Sequence, residues 1–109
     1  MDTTVKSRVL VVDDEQSISD LVSTSLRFVG FDVRTAATGQ EALRVAEEFK
    51  PQAMVLDVML PDLNGFEVCE KLRNEGQDVG VLFLTPKDEI EDKGKKGKFN
   101  MEYEYENKK

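Results

Sequence analysis

The chain has 109 residues, of which 39% are hydrophobic and 34% are charged, and this length and composition suit one domain with a single core. With 22 acidic residues against 15 basic ones, the net charge is -7, which disfavours direct binding to nucleic acid or anionic lipid. The absence of His and the single Cys exclude a Ser-His-Asp triad, a histidine phosphocarrier, a thiolate zinc site and an internal disulfide.

The N-terminal segment and the apolar runs bear on localisation. Residues 1–7 are polar and lack the apolar core of a signal peptide, and the longest apolar runs have four residues, whereas a membrane span needs about 20. We therefore expect a soluble, cytoplasmic protein without a membrane partner.

The first half of the chain reads as strand, helix, strand, helix. Residues 9–12 form a β-branched run without alternation, which is typical of a strand covered on both faces in a parallel sheet. Gly30 stands where a glycine often ends a helix, and the apolar residues before it recur at helical spacing: Ile18, Leu21, Val22, Leu26 and Val29. A second strand is predicted over 31–35, and Thr38 with Glu41 has the spacing of a capping box for the next helix.

The second half continues the alternation. A third strand over 53–56 ends at Asp57, and Asn64 with Glu67 predicts the start of a helix. The residues of that helix expected to face the core are Phe66, Cys69 and Leu72. A fourth strand is predicted over 79–84. Strands alternating with helices in this way predict a doubly wound α/β domain with a parallel sheet.

Beyond this point the composition changes. Residues 86–109 include 14 charged residues with a net charge of zero, and the shift is sharpest near Lys93. We therefore divide the chain into a domain over 1–93 and a divergent segment over 94–109. Apolar and polar residues alternate over 98–106, which predicts an edge strand. The pattern leaves open a parallel crossover, an antiparallel hairpin or a disordered tail.

Acidic side chains follow two of the predicted strands. Asp13 and Asp14 close the first strand, Asp57 closes the third, and Thr85 follows the fourth. Ligands of an open parallel sheet bind beyond the carboxyl ends of its strands. If the first and third strands are neighbours, the three carboxylates meet and need a cation to neutralise them. Their all-oxygen chemistry favours Mg2+, and a strand-end Asp beside Mg2+ and a hydroxyl can itself accept a phosphoryl group.

A simpler interpretation is that each Asp only caps the helix that follows it. For a single Asp that interpretation is the better one. Capping does not require all three acids to converge on one point, so we favour the metal site for the trio.

The segments 9–15, 56–65 and 82–85 carry a resemblance to a known family. Over about residues 7–93, the chain resembles the receiver domain of two-component response regulators. The resemblance implies a flavodoxin-like sheet with strand order 2-1-3-4-5. It also implies that Asp57 accepts a phosphoryl group from the phosphohistidine of a sensor kinase.

The same resemblance implies the roles of other residues. Asp13 and Asp14 would hold Mg2+ together with Asp57, and the backbone carbonyl of Met59 would complete the metal site. Thr85 would hydrogen-bond the phosphoryl group and move when it arrives.

The C-terminal part departs from the family pattern. The family has an aromatic residue and then a Lys-Pro pair at the end of its fifth strand, and no Lys-Pro pair occurs after Thr85 in this chain. Tyr105 is followed three residues later by Lys108, which we take as a candidate replacement for the family's active-site lysine. The family's fourth helix fades after Lys93 and its fifth is missing, so the output of the domain is in doubt and the pattern leaves the oligomeric state open.

Two alternatives accompany this interpretation. The first is a truncated or engineered receiver-derived scaffold without signalling output, suggested by the change in composition. The second is a flavodoxin-like nucleotide binder, which the sequence disfavours because no glycine-rich phosphate loop follows the first strand.

Overall fold

The computed structural model describes residues 6–85 and 100–105, with the backbone alone described for residues 85 and 100–105. Its elements in chain order are β1 (Arg8–Val12), α1 (Gln16–Phe28), β2 (Asp32–Ala36), α2 (Gly39–Phe49), β3 (Ala53–Asp57), α3 (Gly65–Asn74), β4 (Gly80–Thr85) and β5 (Asn100–Tyr105). The three helices predicted between residues 12 and 79 are present, and the first four predicted strands agree within one residue at each end.

The strands form one sheet in the order β2-β1-β3-β4-β5. The first four strands pair in parallel, so the predicted doubly wound α/β fold is confirmed for them. β5 pairs antiparallel with β4, which selects the hairpin direction from the alternatives left open. The 14 residues between the two strands are close to the minimum for a parallel crossover, whereas an antiparallel return needs only a short connection.

Apolar side chains pack on both faces of the sheet because successive residues of a strand point to opposite sides. Leu10, Val12 and Leu56 pack with residues of α2 and α3. Val9 and Val11 belong to a second cluster, against which residues of α1 pack. The strands β1 and β3 are thus covered on both sides, as their uninterrupted apolar runs predict.

The helix ends confirm the predicted caps. The Thr38 side chain accepts a hydrogen bond from the Glu41 N–H at 3.0 Å, and Asn64 forms a complete capping box with Glu67. Gly30 follows α1 with a φ of +108°, a conformation that residues with a Cβ rarely adopt.

Some residues predicted to be buried are exposed. In α1 the residues packed against the sheet are Ile18, Val22 and Leu26, a stripe at intervals of four residues. Leu21 lies off this stripe and Val29 lies beyond the last residue of α1. They are 61% and 67% exposed, so the predicted apolar face was too wide at Leu21 and too long at Val29.

The core prediction for α3 is correct at two of its three positions. Cys69 and Leu72 are buried, but Phe66 in the first turn is 41% exposed. Its ring lies 4.6 Å, centroid to centroid, from the buried ring of Phe83. Burial raises the pKa of the Cys69 thiol to about 12.

The longest helix described in residues 6–85 is α1, with 13 residues. Within that part of the chain, no helix combines the length and apolar content that crossing a bilayer requires.

Candidate metal centre

The carboxyl ends of β1 and β3 bring three acids together. These strands are neighbours with Val12 paired to Leu56, so the residues that follow them, Asp13 and Asp57, share one edge of the sheet. One carboxylate oxygen from each of Asp13, Asp14 and Asp57 lies within 4.8 Å of the other two. We call these three residues the acid pocket.

The three acids differ in their contact with solvent. Asp13 is buried, Asp57 is half-buried, and Asp14 is exposed. The acid pocket is therefore shielded from solvent at Asp13 and open to solvent at Asp14. This gradient suits a site that a small cation enters from solution.

Hydrogen bonds from the backbone orient two of the carboxylates. Asp13 Oδ1 accepts from the Glu15 N–H at 2.8 Å, and Asp57 Oδ1 accepts from the Met59 N–H at 3.2 Å. Neither acid caps a helix, because the N-cap of α1 is Glu15, which makes no side-chain capping bond, and that of α3 is Asn64. Helix capping therefore does not explain the convergence of the acids.

The electrostatics of the pocket oppose full ionisation. Burial raises the pKa of Asp57 from 3.8 to about 6, the negative charge of Asp13 adds to this rise, and the Met59 N–H acts against it. Burial also raises the pKa of Asp13, opposed by the Glu15 N–H and reinforced by the charge of Asp14. A bound cation would relieve this repulsion.

The loop between β3 and α3 turns back tightly beneath Asp57. The Gly65 N–H donates to the Val58 carbonyl at 2.7 Å, and Met59 and Asn64 form an antiparallel bridge. A Cβ on Gly65 would lie 2.9 Å from both the Asp57 carbonyl oxygen and the Phe83 ring. Only glycine fits this turn without displacing the backbone of Asp57.

The other predicted site residues have different positions. Met59 lies in the loop directly after Asp57, and its side chain is 60% exposed. Leu84 pairs with Asp57, so the backbone of Thr85 ends β4 one residue beyond that pair. Lys108 lies outside the described residues. The roles assigned to these three residues stay predictions.

Asp62 lies in the same loop, and no sequence motif had indicated a role for it. Asp62 Oδ1 accepts from the Gly39 N–H at 2.7 Å, and Oδ2 accepts from the Gln40 N–H at 2.9 Å. These N–H groups lower the pKa of Asp62. Its partners lie more than 20 residues away along the chain, so no local sequence pattern could have indicated them.

Comparison with known proteins agrees with this fold. The sequence model of the response regulator receiver domain matches residues 9–103, so the chain belongs to the receiver domain family. The class of protein is thus a phosphoacceptor module of two-component signalling.

Two curated relatives illustrate the similarity. The chain is 51% identical to the alkaline phosphatase synthesis transcriptional regulatory protein PhoP of Bacillus subtilis over 82% of its length. It is 47% identical to the probable transcriptional regulatory protein TcrX of Mycobacterium tuberculosis over 78% of its length. The chain spans only 37% and 36% of these relatives. The matches favour the receiver module over the alternative of a scaffold without signalling output.

Solved structures share the fold. The chemotaxis response regulator CheY4 of Vibrio cholerae matches with a TM-score of 0.72 and 36% identity, over 83% of this chain and 77% of that one. The response regulator TrrA of Thermotoga maritima, solved in complex with Mg(2+)-BeF, matches with a TM-score of 0.69 and 31% identity. That match covers 79% of this chain and 75% of TrrA.

Proposed function

We propose that Asp57 accepts a phosphoryl group from the phosphohistidine of a sensor kinase, with Mg2+ as the cofactor. The observation that carries this proposal is the acid pocket itself. In a receiver domain chain, three carboxylates from two separate loops lie within 4.8 Å of one another.

The residues of the pocket fit Mg2+. We assign Asp13, Asp14, Asp57 and the backbone carbonyl of Met59 as its ligands, a set that consists of oxygen atoms alone, as Mg2+ prefers. The raised pKa values of Asp13 and Asp57 support a site whose charge is balanced by a cation. When bound, Mg2+ supplies positive charge that stabilises the phosphoryl oxygens during transfer.

The hydrogen bond of Asp57 suggests which oxygen reacts. The Met59 N–H occupies Oδ1, so we assign Oδ2 as the nucleophile. A bond forms between Oδ2 and phosphorus, the phosphorus–nitrogen bond of the phosphohistidine breaks, and its electron pair stays on the imidazole. Attack by water later returns Asp57 to the free carboxylate and releases inorganic phosphate.

Two further residues complete the proposed reaction. Thr85, at the end of β4, would donate a hydrogen bond to the phosphoryl group. Lys108 would supply the positive charge that pairs with the phosphoryl oxygens. Both assignments rest on the position of each residue in the sequence.

The proposed activity is that of a signalling switch. The domain modifies only itself, through phosphorylation and dephosphorylation of Asp57, and turns over no separate substrate. Its proposed partner is a sensor histidine kinase. The net charge of -7 supports the expectation that this domain does not itself contact nucleic acid.

The test is phosphorylation of the purified chain by a small phosphodonor in the presence of Mg2+. We expect intact-mass measurement to show one added phosphoryl group in the parent and none in Asp57→Asn. Omitting Mg2+ should abolish the incorporation as well.

Asp32→Asn is the matched control, because Asp32 is exposed and begins β2 at the end of the sheet opposite the acid pocket. This variant loses the same charge and should be phosphorylated like the parent. A parent that gains no phosphoryl group, or an Asp57→Asn variant that gains as much, would disprove the proposed function.

A further inference from the structure

Asp62 links two separate parts of the molecule. It lies at the tip of the β3–α3 loop and accepts hydrogen bonds from the first two N–H groups of α2, those of Gly39 and Gln40. It also accepts from the Leu63 N–H at 2.9 Å, which orients the carboxylate within its own loop. Asp62 thus fastens the loop to a helix that begins more than 20 residues earlier.

Packing reinforces this link. Gly39 is buried, and a Cβ on it would lie 2.8 Å from Leu63 Cβ. The loop tip therefore lies directly against the start of α2, with no room for a side chain between them. The contact of Asp62 with α2 is one part of a close-packed junction.

The segment that leads from β2 into α2 also holds the loop after β1, which carries Asp13 and Asp14. The Ala36 carbonyl, at the end of β2, accepts from the Asp13 N–H at 3.1 Å. Residues 36–40 therefore bind Asp13 on one side and Asp62 on the other. Through this segment the two loops that carry the acid pocket are fixed relative to each other.

The acid pocket needs such an anchor. Repulsion among three carboxylates within 4.8 Å of one another favours movement of the loops away from each other. Asp57 and Met59 precede Asp62 by only five and three residues, so a shift at the loop tip would reach them.

We propose that Asp62 is a positioning residue of the acid pocket, which holds the loop 58–64 against α2 so that Asp57 and Met59 stay in place beside Asp13. Asp62 contacts neither Asp13 nor Asp57 and acts through the loop. The proposal rests on the proposed function, because it takes Mg2+ as the ligand of the pocket.

Two substitutions separate positioning from charge. Asp62→Ala and Asp62→Asn remove the same negative charge, but Asn keeps one carbonyl oxygen that can accept from Gly39 and Leu63. Asp32→Ala is the control, because Asp32 is also an exposed carboxylate but begins β2, at the end of the sheet opposite the acid pocket.

The first measurement is the affinity for Mg2+, by calorimetric titration. Because partners that orient metal ligands typically contribute 10- to 100-fold in affinity, we expect binding about tenfold weaker in Asp62→Ala. Asp62→Asn should fall between this variant and the parent, and Asp32→Ala should bind Mg2+ like the parent. Equal losses in Asp62→Ala and Asp62→Asn would reveal a charge effect alone and overturn the proposal, as would an unchanged affinity in both.

The second measurement needs no metal. Amide hydrogen exchange at Met59 and Gly65 in the metal-free protein reports the loop directly, since these N–H groups bond Asp57 Oδ1 and the Val58 carbonyl. We expect faster exchange in Asp62→Ala than in Asp32→Ala. If the parent binds no Mg2+ but this difference is found, positioning is supported and the proposed function fails. Without the difference, positioning by Asp62 is rejected whether or not Mg2+ binds.

Discussion

The interior of β3 and its carboxyl end have opposite effects on stability, although the strand has only five residues. Met54 and Leu56 are completely buried and stabilise the fold by removing apolar surface from water. The next residue, Asp57, lies beside two other acids, and the pocket raises its pKa to about 6. The apolar interior supplies the stability that lets the end of the strand hold charges that repel one another.

The largest effect should come from the interior. Leu56→Ala leaves a cavity at a fully buried position, and we expect the free energy of unfolding to fall by about 3 kcal/mol. Urea denaturation measures this loss. Leu82→Ala on β4 is the control, because Leu82 is 36% exposed and should cost clearly less. Similar losses in both variants would contradict the larger contribution to stability assigned to the buried interior of β3.

The turn beneath the pocket should give the next largest effect. In Gly65→Ala the new Cβ meets the Asp57 carbonyl oxygen and the Phe83 ring at 2.9 Å, so we expect a loss of about 2 kcal/mol from overpacking. Phosphorylation should also slow, because the displaced backbone is that of Asp57.

Gly80→Ala is the matched control for this turn. At Gly80 the nearest atom to a new Cβ is 3.9 Å away, an ordinary contact. Equal losses in the free energy of unfolding of the two glycine variants, measured by urea denaturation, would show that the close approach at Gly65 does not cause the loss there.

The smallest effect should come from the charge of Asp57. Removing this charge should stabilise the protein, whereas the two substitutions above destabilise it. The folded-state pKa of Asp57 lies above its ordinary value of 3.8, at about 6, so the folded protein binds this proton more tightly than the unfolded chain. Stability should therefore fall as the pH rises from about 4 to about 6. Because Asp57 is in part exposed and screened, we expect Asp57→Asn to stabilise the protein by about 1 to 2 kcal/mol at pH 7 without Mg2+.

Urea denaturation at pH 7 and at about pH 3 tests this reversal. The gain should vanish at the lower pH, where the carboxyl group is protonated in both states. Asp32→Asn, at the exposed start of β2, should show no comparable gain. A destabilised Asp57→Asn variant at pH 7 would contradict the cost assigned to the pocket.

Features with local causes could be predicted from the sequence. The caps at Thr38 and Asn64 depend on residues three positions apart, and the buried strands show as short apolar runs. The convergence of the acids followed from one rule about parallel sheets and from the adjacency of β1 and β3.

Features that depend on distant contacts could not be predicted in this way. The exposure of Leu21 depends on which side of α1 meets the sheet, and the direction of β5 depends on how it pairs with β4. The bonds of Asp62 join segments that are far apart in the sequence. The spacing of residues along the sequence does not indicate such long-range contacts.

The lone thiol of the chain has a practical consequence. Cys69 is buried on α3, and with a pKa of about 12 it is almost entirely protonated at neutral pH, whereas the thiolate is the form that reacts with alkylating reagents. Alkylation therefore requires α3 to separate from the sheet. The rate of labelling therefore measures how often this opening occurs, because the sequence has no other cysteine that could react.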